Sequence, residues 1–186
     1  MNRQSRSIIL IGMMGAGKSS VGWCLHRRTD LALQDTDEIT AANLRMSIPQ
    51  IFAKHGEKKF RKAETEALRR VQTEEQKIIV TGGGVVLRKE NVKILRKQGV
   101  IVWLDADEDT LFARASQKRN RPLLQTKNPR KDFSQILRAR RSLYADIADV
   151  RIDTSVLTDE EVAVAILAKL RRINPKRKPA ISAKAT

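Results

Sequence analysis

The chain has 186 residues, enough for one domain of ordinary size, and its 41% hydrophobic content supports a buried core and excludes wholesale disorder. Its formal net charge of +16 raises nucleic acid or a membrane surface as a partner. The single cysteine excludes an intrachain disulfide and a cysteine-built zinc site, and no apolar run approaches the roughly 18–20 residues of a membrane span.

The first residues carry some positive charge but no long apolar region and no small-residue cleavage site. No signal peptide is expected, and a reduced, cytoplasmic setting follows. Residues 7–11 form an apolar run of strand length that ends at Gly12. The next residues, Gly12-Met13-Met14-Gly15-Ala16-Gly17-Lys18-Ser19, fit the phosphate-binding pattern G-x-x-x-x-G-K-[ST] and open a predicted helix over 17–28. The glycines let successive backbone N–H groups converge, and the helix adds its positive end. Lys18 then reaches the β- and γ-phosphates, and the Ser19 hydroxyl is placed for Mg²⁺. Gly12, Gly15, Ala16, Gly17, Lys18, Ser19 and Ser20 are therefore candidate ATP-binding residues.

A weaker strand over 32–34 ends at Asp35-Thr36-Asp37. Read as an extended segment, it points Asp35 and Asp37 the same way, into the cleft, where one carboxylate suits magnesium-bound water and the other an attacking hydroxyl. An Asx turn opening a helix is the plainer alternative. A long helix is expected over 57–75, with Arg61 and Glu64 one turn apart, an arrangement that a surface ion pair would also explain. A strand over 77–81 runs into Gly82-Gly83-Gly84, which permits a close backbone approach to a ligand.

Further on, the pattern gives a helix over 91–97, a strand over 100–104 and a helix over 107–118. Residues 118–131 read as a polar loop containing Arg121-Pro122-Leu123-Leu124. A helix over 132–148 carries Phe133, Ile136, Leu137, Leu143 and Tyr144 at helical spacing, with Arg140 one turn before Tyr144. An edge-like strand over 150–153 and a capped helix to about residue 172 complete the pattern. Trp23, Cys24 and Trp103 are expected to pack. His26 and His55 are read as surface or helix-end residues. Five short strands alternating with helices predict an α/β fold, a parallel sheet with helices on both faces.

The charge is local. Residues 114–131 hold seven Lys or Arg and no acid, residues 162–186 hold another seven and no acid, and the remainder is close to neutral. Residues 174–186 are basic, contain two prolines and have little to bury, so they are expected to be a disordered tail. The tail has no aromatic residue for base stacking, so neither a specific nucleic-acid partner nor a membrane partner is expected.

Taken in order, G-M-x-G-x-G-K-S, D-T-D, F-R-x-x-E, a strand ending in G-G-G, R-P-L and R-x-x-L-Y make the chain, from about residue 7 to 170, resemble the shikimate kinase family. The resemblance implies a P-loop, nucleoside-monophosphate-kinase-like fold with five parallel strands. A single kinase domain over 1–173 would have a substrate-binding region at about 35–64 and a lid at about 118–131. It also implies ATP-dependent phosphorylation of the 3-hydroxyl of shikimate with Mg²⁺, in the route to chorismate and the aromatic amino acids, by a monomer.

By the same resemblance, Asp37, Arg61, Gly82, Gly83, Gly84 and Arg140 bind shikimate, and Asp37 serves as base. Lys18 and Arg121 neutralise the transferring phosphoryl group, and Arg114 stacks on adenine. Ser19 binds the metal directly and Asp35 binds it through water. The family often has a proline beside the adenine, just after the fifth strand. Thr154-Ser155-Val156-Leu157-Thr158 has none, so no residue is assigned there. A kinase for another hydroxy acid such as gluconate, and an ATP-binding module contacting nucleic acid through the tail, are the two competing readings.

Overall fold

The computed structural model describes residues 7–71, 75–117 and 121–173. Five strands, β1 (Ser7–Ile11), β2 (Ala32–Asp35), β3 (Lys77–Val80), β4 (Gly99–Asp105) and β5 (Val150–Asp153), form one all-parallel sheet in the order β2-β3-β1-β4-β5. The three inner strands are buried along their whole length, which explains their unbroken apolar runs. The edge strand β5 alternates buried and exposed residues, so its mixed sequence Val-Arg-Ile-Asp fits one covered face.

Seven helices follow: α1 (Lys18–Thr29), α2 (Thr36–Leu44), α3 (Ile48–Arg70), α4 (Lys89–Gln98), α5 (Glu108–Ser116), α6 (Pro129–Ile147) and α7 (Asp159–Ile173). α1 and α7 pack on each other, while α4 and α6 pack on β4 and α3 packs on α4. In such a sheet, ligands bind beyond the carboxyl ends of the strands, where the order reverses around β1. None of the described helices is long and apolar enough to cross a membrane.

Several expectations need correction. α2 bears out the alternative reading of an Asx turn opening a helix: Asp35 caps it through a bond from the Asp37 N–H, so Asp37 lies in a first helical turn rather than in an extended segment. α3 starts at Ile48, not residue 57, behind a Ser47/Gln50 capping box, and its axis breaks at Gly56, which has φ 72°. α6 starts at Pro129, because proline suits the first helical position. The expected loop is therefore shorter, and it contains a 3₁₀ turn at Pro122–Leu124. Trp23 is 58% exposed, outside the core and edge-on to His26 with ring centroids 5.5 Å apart, whereas Trp103 is buried and stacks on Tyr144. His26 closes the end of α1 through a 2.8 Å contact between Nδ1 and the Leu31 carbonyl. Residues 118–120 of the expected lid and the tail 174–186 lie outside the described residues.

α6 buries Phe133, Leu137, Arg140, Tyr144 and Ile147, a single stripe in which an arginine interrupts the apolar residues. Phe133 anchors its first turns, fully buried and edge-on to Phe112 at 5.4 Å. Phe133→Ala should lower unfolding free energy by about 3–5 kcal/mol, read from urea denaturation. A loss of under about 1 kcal/mol would show that α6 is held elsewhere.

Candidate active site

The loop after β1 builds a cradle. Gly12, Gly15 and Gly17 all have positive φ, and a Cβ on Gly12 or Gly15 would lie 2.2 Å from a backbone oxygen. The cradle opens into a cavity lined by Gly15, Gly17, Lys18, Ser19, Ser20, Asp35, Asp37, Arg114 and Arg121, with Leu157, Thr158 and Asp159 on the far side. Gly12 and Ala16 shape the loop from behind rather than line that cavity. Lys18 Nζ donates to the Gly12 and Met13 carbonyls at 2.9 and 3.0 Å. Burial, with the nearby Arg121 charge, lowers its pKa to about 8. Arg114 donates to the Thr154 hydroxyl and carbonyl, which fixes it as one wall.

At the other end, Ser19 Oγ donates to Asp35 Oδ2 at 3.2 Å, while Asp35 Oδ1 accepts the Asp37 N–H at 2.9 Å. The Asx turn thus replaces the extended reading of the D-T-D segment without turning its carboxylates away from the cleft. The helix cap is what aims the two carboxylates at the cradle, and both line the cavity.

A second cavity adjoins the first. Met14, Asp37, Gly83 and Arg121 line both. Its polar wall consists of Asp37, Arg61, Glu64, Arg140 and the three glycines 82–84; its apolar wall includes Ile48, Phe52, Phe60 and Leu123. Arg61 bonds Glu57 at 2.9 Å and Glu64 at 3.1 Å, and Glu64 is fully buried. The Arg61–Glu64 pair is thus not a surface ion pair. A Cβ on Gly82 would lie 2.6 Å from Asp37 Oδ1 and 2.7 Å from Glu64 Oε1; one on Gly84 would lie 2.2 Å from the Arg61 guanidinium. Gly82 and Gly84 therefore leave room for the charged side chains themselves. Arg140 is 6% exposed and makes no ion pair among the described residues.

These neighbours shift the titrations. Burial, then the Asp35 and Glu64 charges, raises the Asp37 pKa to about 7 against the pull of Lys18 and Arg61. Burial also raises Glu64, opposed by Arg61. Asp37 Oδ1 and Arg121 Nε are buried without a hydrogen-bond partner in the protein. An unpaired anion and an unpaired cation thus face the place where the cavities meet.

Asp35, Asp37, Arg61, Glu64, the three glycines 82–84, Arg114, Arg121 and Arg140 all lie on this rim, whereas Tyr144 lines neither cavity. Sequence reasoning missed the apolar wall and left Glu64 without a role, although it stands in the quoted F-R-x-x-E. The apolar wall had no local signal, because α3 was read to begin after Ile48 and Phe52.

The comparisons with known proteins agree on one family. A family model described as shikimate kinase matches residues 14–171. A shikimate kinase from Thermodesulfovibrio yellowstonii is 43% identical over 169 residues, 91% of this chain and 97% of that protein. Among solved structures, shikimate kinase from Acinetobacter baumannii in complex with shikimate superposes with a TM-score of 0.88 at 31% identity, covering 91% of this chain and 95% of that one. A gluconokinase from Sinorhizobium meliloti shares the fold, with a TM-score of 0.59 at 19% identity over 94% and 97% of the two chains.

The Asp37 environment has a cost in stability. The unfolded chain ionises this carboxyl near 3.8, but the folded chain holds the proton to about 7. Stability is therefore lost as pH rises between those values and stays lost above them. Asp37→Asn removes the penalty, so at pH 8 the variant should be more stable than the parent by on the order of 4 kcal/mol. The difference should shrink towards zero at pH 4. Unfolding midpoints at the two pH values test this, and an equal difference at both would contradict it.

Proposed function

This chain belongs to the shikimate kinase family, and we propose that it transfers the γ-phosphoryl group of ATP to the 3-hydroxyl of shikimate through the residues on this rim. The products are ADP and shikimate 3-phosphate, on the route to chorismate and the aromatic amino acids. The observation that carries the reading is the junction of the two cavities at Asp37, Gly83, Met14 and Arg121. One cavity has the cradle and lysine that triphosphate requires. The other has two arginines for a carboxylate and an apolar wall for a ring.

Arg61 and Arg140 hold the shikimate carboxylate, a task suited to planar guanidinium forks. Asp37 accepts the proton of the attacking hydroxyl. Its pKa of about 7 matches the working pH, where a general base is most effective. Its unpaired Oδ1 is the atom that meets that hydroxyl. Lys18 leaves the Gly12 and Met13 carbonyls for the phosphates, and Arg121 neutralises charge on the transferring group. Residues 121–128, the described stretch leading into α6, act as the lid that carries Arg121. Arg114, which lines the same cavity as the phosphate cradle, stacks on the adenine.

The donor set fits Mg²⁺. Ser19 Oγ and Asp35 Oδ2 stand 3.2 Å apart, and no group of three acidic, histidine or cysteine residues forms a separate metal site among the described residues. This suits an ion held mainly by ATP phosphates, with Ser19 as a direct ligand and Asp35 acting through water. When bound, Mg²⁺ supplies neutralisation of the phosphate oxygens. The enzyme acts as a cytoplasmic monomer with one kinase domain over residues 1–173, and no nucleic acid or membrane takes part.

A coupled assay for ADP release with ATP and Mg²⁺ tests the assignment. Turnover is expected with shikimate and not with gluconate; turnover only with gluconate would overturn it. Arg61→Ala would also leave Glu64 buried without its cation, so Arg140 gives the cleaner probe. Arg140→Met should raise the shikimate KM about 10–100-fold and leave the ATP KM within about twofold. Arg121→Ala should instead lower kcat by about 10²–10³. A variant that weakens both substrates alike would contradict its assigned role.

A further inference from the structure

Tyr144 belongs to the R-x-x-L-Y pattern, yet the reading above gives it no task. It is fully buried, its ring stacks on Trp103 with centroids 6.0 Å apart, and it lines neither cavity. Its hydroxyl donates a hydrogen bond to the Gly83 carbonyl. Burial pushes its pKa up to about 12, so it stays a donor at every working pH.

The carbonyl it holds occupies a special place. Val85 N–H bonds the Gly82 carbonyl at 3.2 Å, closing a β-turn over residues 82–85. The Gly83–Gly84 peptide is the central one of that turn. Gly84 has φ −95° and ψ 3°, the third-residue geometry of a type I turn. Turn closure does not use the central peptide, and no described residue accepts from the Gly84 N–H. Rotating this peptide by half a turn gives type II, which needs positive φ at the third position. Glycine reaches positive φ freely, so Gly84 imposes no barrier of its own. Within the turn, nothing selects one orientation over the other.

In a trans peptide the carbonyl and the N–H point in opposite directions. With the Gly83 oxygen turned to Tyr144, the Gly84 N–H points the opposite way, and Gly84 itself lines the cavity beside Arg61. The flipped peptide would present a carbonyl there, an acceptor that repels a ligand's carboxylate.

We propose that Tyr144 is a positioning residue that locks the Gly83–Gly84 peptide with its N–H towards the substrate, and so sets shikimate affinity without touching it. This rests on the cavity being the shikimate site. α6 then serves that site twice, directly through Arg140 and indirectly one turn later through Tyr144.

The test is calorimetric titration of shikimate and of ADP into the parent, Tyr144→Phe and Trp103→Phe, with unfolding midpoints for each. Tyr144→Phe keeps the ring and removes the hydroxyl, which bonds Arg140 as well as the Gly83 carbonyl. Its shikimate Kd should rise about tenfold while its ADP Kd stays within about twofold. The Arg140→Met/Tyr144→Phe double variant must still show the Tyr144→Phe loss on top of that of Arg140→Met; no added loss overturns the inference. Trp103→Phe disturbs the packing of the same ring but keeps the hydroxyl, so both affinities should match the parent. An unchanged shikimate Kd in Tyr144→Phe overturns the inference. So does an equal loss of ADP affinity, or the same shikimate defect in Trp103→Phe. A parent that binds ADP but no shikimate sinks the underlying reading and this inference together. A parent that binds shikimate alongside an unaltered Tyr144→Phe sinks this inference alone.

Discussion

The buried Glu64 carboxylate and the partly buried Asp37 press on the backbone of Gly82, and the Arg61 guanidinium presses on Gly84. Most of the rim depends on that contact. Carboxylates this deep are tolerated only with cations beside them, so Arg61 lies against Glu64, and Lys18, Arg121 and Arg140 complete the ring. The positions of β3, which delivers the glycines, and of α2 and α3, which deliver the acids and Arg61, are thereby tied together. A side chain at residue 82 or 84 would not simply fill space. It would push apart charges that have no second place to go.

The molecule offers an internal contrast. Asp105, at the end of β4, is also a buried carboxylate, but Arg141 and Arg151 bond it at 2.9 and 2.7 Å. That group is satisfied by the fold and has nothing left to offer a ligand. Asp37 Oδ1 and Arg121 Nε are buried and unsatisfied, and they line both cavities. Leaving such groups unpaired costs stability, and at these two residues a ligand in the cavities can supply the missing partner. The distinction between a structural and a functional charge here is whether the fold has already paired it. The +16 of the chain says little about this, because the rim itself holds nearly balanced charge.

What the sequence made legible was local. The inner strands read as apolar runs because both faces are covered, and the phosphate loop has a spacing that its own backbone dictates. The motif residues fall on one rim because parallel strands end together. What stayed hidden depended on partners distant in sequence or on a local conflict. α2 follows β2 with no loop, Asp35 being at once strand end and helix cap, so period-based reading ran past it. α3 breaks at Gly56, and the break concealed the half that carries Ile48 and Phe52. Glu64 looked like half of an exposed helical pair, and only the approach of Gly82 shows why it is buried. Trp23 misled in the opposite sense: a large aromatic on a core helix that faces outward.

The glycine turn also couples the two cavities mechanically. A Cβ on Gly83 would lie 3.4 Å from the Gly12 carbonyl and 3.5 Å from the Met14 N–H, so the turn rests on the phosphate loop itself. The Gly12 carbonyl is in turn one of the two that Lys18 occupies without nucleotide. On the proposed reading, phosphate in the cradle would draw Lys18 away from a carbonyl that the turn leans on. The wall of one substrate site is therefore built against the floor of the other, with Met14 between them. Phosphoryl transfer needs the attacking and leaving oxygens held in line, and a small misplacement costs rate steeply. A shared backbone contact sets that distance more rigidly than two separately mobile loops would. It explains why the chain places close-packed glycine on both sides of the junction and keeps its long side chains for the rim.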